Sequence, residues 1–95
     1  MPIEDSAQRI EYIRGMAKLA RTATDSASMG NAFDNMCADL AVIGNAAVRR
    51  EAQAYLERAI SQSLYLLERD AKNYSGFLSK ALLSLAAYLE EHDRP

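Results

Sequence analysis

The stretch at positions 74–89, YSGFLSKALLSLAAYL, carries more apolar residues than one packing face can use. On a helical wheel at about 100° per residue, Tyr74, Phe77, Leu78, Ala81, Leu82, Leu85, Tyr88 and Leu89 fall within one arc of roughly 140°. That arc is a core face. The other side carries Gly76, Ser79, Leu83, Ala86 and Ala87, and Lys80, Ser84 and Glu91 form a narrow polar strip between the two. A helix lined on both sides is either central in its own fold or shared with a second chain. The second possibility makes Gly76, Ser79, Leu83, Ala86 and Ala87 a candidate dimer contact, its small residues letting two helices approach closely around Leu83.

The rest of the chain is built for the same kind of element. Its two prolines stand at positions 2 and 95, so none interrupts the body, and the 95 residues fit a single all-helical domain with frayed ends at 1–4 and 92–95. Asp5 and Gln8 resemble a capping box opening a first helix over 6–27, whose inner face is Ile10, Ile13, Met16, Ala17, Ala20, Ala23 and Ala27, widened by Tyr12 and Leu19. Ser28, Gly30 and Asn31 interrupt the pattern, and Asn31 with Asp34 can cap a short second helix over 31–43. Met29, Ala32, Phe33, Met36, Leu40 and Ile43 form its inner side.

Gly44 and Asn45 mark the next break, because the apolar phase of Leu40 does not continue at Glu51, Arg58 and Gln62. A third helix over 46–72 packs through Val48, Ala52, Tyr55, Leu56, Ala59, Ile60, Leu64, Leu66 and Leu67. Asn73, Ser75 and Gly76 supply the last turn chemistry, with Ser75 as N-cap of a fourth helix over 75–91. The expected architecture is an antiparallel bundle of four helices that pairs with a second copy. The tripeptide Tyr-Leu-Glu recurs at Tyr55 and Tyr88, but its surroundings do not align, so there is no repeat.

Charge and chemistry narrow the function. The formal net charge is −2, and only residues 29–45 are unbalanced, with two acids and no base. A nucleic-acid binder normally concentrates positive charge on one face, so polyanion binding is disfavoured. Arg14, Lys18 and Arg21 do share an outer side, but Glu11 and Asp25 stand where they can pair along the helix. Gly44 followed by Arg49 and Arg50 leaves a helix-turn-helix DNA-binding regulator as the alternative reading. Cys37 stands alone, which rules out an internal disulfide and fits a cytoplasmic protein; its expected role is a small buried apolar residue. No apolar run approaches the roughly 20 residues of a membrane span.

Catalytic constellations are missing from the sequence. The one histidine, His92, falls in the expected frayed tail, no Glu-x-x-His pair offers a metal site, and no glycine-rich phosphate loop occurs. Asp34 and Asp39 are about 140° apart on a helix and cannot form a joint site; Asp39 is expected to be a satisfied structural carboxylate. No enzyme, cofactor or metal is therefore expected. What remains is contact. Tyr65 lies outside the apolar arc of its helix, in line with Arg58, Gln62 and Arg69, and Tyr and Arg are enriched where proteins bind partners. The expected function is that of a small helical protein-protein interaction protein, acting as adaptor, chaperone-like holder or inhibitor, with Arg58, Gln62, Tyr65 and Arg69 as candidate partner-binding residues.

Overall fold

Each helix begins or ends where a specific side chain or a change of backbone stops it. The computed structural model describes residues 5–22 and 27–93. Within them lie α1 (Ser6–Ala20), α2 (Ala27–Ala41), α3 (Ala46–Arg69) and α4 (Tyr74–His92), with a 3₁₀ turn at Ala71–Asn73 and no strand among the described residues. Asp5 caps α1: its carboxylate accepts from the Gln8 amide at 3.0 Å. Asn45 caps α3 in the same way, its side-chain oxygen accepting from the amides of Ala47 and Val48 at 3.0 and 3.1 Å. The phase change at Gly44 is thus a true helix break, and Arg49 reinforces it by donating to the Ile43 carbonyl at 2.9 Å.

Other boundaries differ from the expected ones. α1 stops at Ala20, about two turns before Ala27, which already belongs to α2. Ser28, Gly30 and Asn31 are inside α2 rather than between helices, so Asn31 is no cap. Met29, Ala32 and Phe33 are all buried there. Their burial outweighs the roughly 1 kcal/mol that a glycine costs in a helix. α3 ends at Arg69, and Ser75 does not cap α4: the chain breaks at Asp70 (φ −154°, ψ 66°), passes through the 3₁₀ turn, and re-enters helix at Tyr74. α4 continues through His92, with Asp93 as its C-terminal cap. Residues 1–4 and 94–95, Ala23 and the partner of Arg21 at Asp25 lie outside the described residues.

α4 is the central element. It packs most extensively against α1 and α3, and α2 reaches the bundle mainly through α3. Tyr74, Leu78, Leu82, Leu85 and Leu89 are all at most 1% exposed, as the wheel requires. Ile10, Ile13, Ala17 and Ala20 from α1, Met29, Met36 and Leu40 from α2, and Val48, Ala52, Leu56 and Ala59 from α3 complete one apolar core. The Cα radius of gyration is 12.6 Å, against about 12 Å for a compact chain of this length.

The core also takes in polar groups that periodicity does not identify. Arg9 is 2% exposed; its Nε donates to the Asp39 carbonyl at 3.1 Å, and its guanidinium pairs with Asp93. Asp39 itself is buried. Ser63, also buried, donates to the Ile60 carbonyl at 2.9 Å and occupies the core position expected of Leu64, which is exposed instead. Leu19, expected to widen the inner face of α1, is exposed as well. No helix among the described residues is long and apolar enough to cross a membrane.

Candidate functional site

Going round α3 locates the surfaces available for contact. Ala52, Leu56, Ala59 and Ser63 fix the buried side. Arg58, Gln62, Tyr65 and Arg69 are all exposed on the outer side, as their spacing requires. The structure divides them into two groups. Arg58 and Gln62 border a small groove of ≈ 190 Å³ against α4, which also touches Tyr55, Phe77 and Ala81. Tyr65 stands further out with its ring exposed, and Arg69 lies over it with Cζ 5.3 Å from the ring centre, a cation–π arrangement that holds both side chains at the surface.

Between α2 and α3 lies a larger groove of ≈ 540 Å³ that sequence reasoning missed. Leu56, Ile60 and Leu64 line it from α3 together with Gln53, Glu57 and Ser61, and Cys37 lines it from α2. Its existence follows from the width of α3's apolar surface. Leu56 is buried at the groove's floor, and Ile60 and Leu64 continue the apolar arc past what the neighbouring helices cover. The signal was in the sequence, as an apolar arc on α3 too wide for one neighbour. Cys37 is accordingly exposed, contrary to its expected burial. Its thiol is pushed up from its ordinary value, first by desolvation and then by the Asp34 carboxylate, which makes it a poor nucleophile.

The candidate dimer contact on α4 is only partly open. Ser79 and Ala86 are buried, at 4% and 1% exposure, because α1 and α3 together wrap more of α4 than a single packing face. Gly76, Leu83 and Ala87 remain at the surface. α4 is thus central in its own fold, and the two-sided apolar pattern is used largely within one chain.

At the far end of α4 an aromatic stack joins the helices. Tyr55 and Tyr88 have ring centres 5.2 Å apart, Tyr88 and His92 4.5 Å, and Arg58 Cζ lies 5.3 Å from the Tyr55 ring centre. Desolvation, then Glu51 and Tyr55, raise the Tyr88 hydroxyl above its ordinary value, so it stays a neutral donor at physiological pH. The outer face of α1 carries ion pairs: Arg14 bonds Glu11 at 3.0 Å and also Glu90 of α4. The Arg49 guanidinium is turned in part to the backbone, with one Nη donating to the Ile43 carbonyl. Among the described residues no group of three His, Cys, Asp or Glu side chains is placed to hold a metal ion. Compared with protein-family models, with curated proteins and with solved structures, the chain matches none.

Proposed function

We propose that the chain is a small protein-protein interaction protein that works by contact rather than chemistry, as adaptor, chaperone-like holder or inhibitor of a partner protein in the cytoplasm. The observation that carries this reading is the open apolar groove between α2 and α3, with Leu64 exposed at its edge and Tyr65 and Arg69 just beyond. Ile60 and Leu64 give the groove a short apolar strip rimmed by Gln53, Glu57 and Ser61, the apolar-centre, polar-rim arrangement of surfaces where proteins meet. An aromatic–arginine pair beside it supplies the side chains that dominate binding energy at such sites.

In the same reading the helices form an antiparallel bundle, and two copies pair through the surface around Leu83, with Gly76 and Ala87 allowing close approach. Light scattering tests the pairing: a dimer that Leu83→Arg converts to a folded monomer supports it, and a monomeric wild-type protein refutes it. Chemical crosslinking in native lysate tests the contact function, the expected result being a discrete heterologous adduct. A gel-shift titration at low and moderate salt addresses the helix-turn-helix alternative, because phosphate contacts produce a steep salt dependence.

A further inference from the structure

The groove between α2 and α3 also has a length and a charge. Residues 53–64 of α3 span three turns, about 16 Å, which is the footprint of three turns of a docked helix anchored at i, i+4 and i+7. Ile60, half-buried, and Leu64, exposed, supply apolar contact along this length, with the buried Leu56 beneath them. Glu57 sits midway along it, exposed, and Asp34 stands exposed on α2 close enough to act on the Cys37 thiol. α2 contains no Lys or Arg, so it adds no positive charge beside these carboxylates. The ion pairs among the described residues use other acids. Arg50, on the same stripe of α3, precedes Glu57 by seven residues, about 10 Å along the axis.

We infer that this groove receives a basic amphipathic helix of a partner protein, its apolar stripe against Ile60 and Leu64 and its Lys or Arg residues against Glu57 in the groove and Asp34 one turn from Cys37 beside it. The inference rests on the contact function proposed above and names the partner's chemistry. Charge decides against a second copy as occupant, since a two-fold axis through the groove would bring Glu57 against Glu57. It decides equally against a polyanion.

The test uses the full chain and two dye-labelled 18-residue helical peptides with the same leucine stripe, one flanked by Lys and Arg, the other by Glu. Fluorescence anisotropy is expected to show the basic peptide binding at least tenfold more tightly, with maleimide labelling of Cys37 slowed at saturation. Asp34→Lys combined with Glu57→Lys, both at exposed positions, is expected to reverse the preference, and Leu64→Glu to remove binding with helicity retained. Equal binding of the two peptides, binding without protection of Cys37, or binding of neither overturns the inference. Failure of both peptides alongside a heterologous adduct in lysate would overturn the partner's chemistry while leaving the contact function standing; failure of both experiments would remove both.

Discussion

Arg9 in α1 and Asp93 at the end of α4 form an ion pair across 84 residues of chain. The Arg9 side chain is 3% exposed and that of Asp93 15%, and the same guanidinium also bonds the Asp39 carbonyl of α2. One side chain therefore ties α1 to α2 and to the end of α4. Removing one partner of a buried pair leaves the other charge in a poorly solvated place, at a cost of about 3–5 kcal/mol. Arg9→Ala is expected to lose that much in urea denaturation. Arg9→Ala with Asp93→Ala should lose less than the sum of the single changes, and additivity would show that the pair is not coupled.

The two sides of α4 predict opposite outcomes for leucines two positions apart. Leu85 is 1% exposed and Leu83 41%. Leu85→Ala should cost about 2–5 kcal/mol, because it opens a cavity in the core. Leu83→Ala, measured at concentrations too dilute for pairing, should stay within about 0.5 kcal/mol, as surface substitutions usually do. Similar losses at both positions, read from thermal melts, would place α4 differently.

Much of this arrangement was legible from residue spacing, and the failures have physical causes. Asp5 and Asn45 act as caps because each stands before an uninterrupted apolar period, so local and tertiary preferences agree. At Ser28, Gly30 and Asn31 they conflict: weak local preferences pointed to a break, and the burial of Met29 and Phe33 kept the chain helical. Asp39 was legible as a structural carboxylate from its place near the inner face of α2, but the Arg9–Asp93 pair was not, because it depends on a contact between distant segments. The stripe of Arg58, Gln62, Tyr65 and Arg69 was legible because an exposed line on one helix needs only the 3.6-residue period. The width of α3's apolar arc was legible too, but not that α2 leaves part of it open, since that depends on how far α2 stands from α3. For the same reason Ser79 and Ala86 were assigned to an open face that α1 and α3 in fact cover.

Gly30 offers a direct check of that conflict. It lies inside α2 with an ordinary negative φ, and a Cβ added there would meet nothing within 4 Å. Gly30→Ala should therefore raise stability by about 0.5–1 kcal/mol by restricting the unfolded chain. A lower melting temperature would mean that this segment is not helical.

The Cys37 thiol gives a pH-dependent readout of the groove. Desolvation, and then Asp34, raise its pKa, so the thiolate fraction at neutral pH is smaller than for a free cysteine. The pH midpoint of its alkylation rate should lie above that of a free-cysteine peptide, and Asp34→Asn should move it down. A midpoint below the free peptide's would contradict the acidic, partly apolar surroundings assigned to the groove.

Parallel affinity capture from native lysate with three baits tests most directly the proposed action by contact through the groove between α2 and α3. Wild-type protein and Leu83→Arg should capture the same heterologous protein, identified by mass spectrometry, whereas Leu64→Glu should lose it with its melting temperature unchanged to within a few degrees. Equal capture by all three baits would contradict the account.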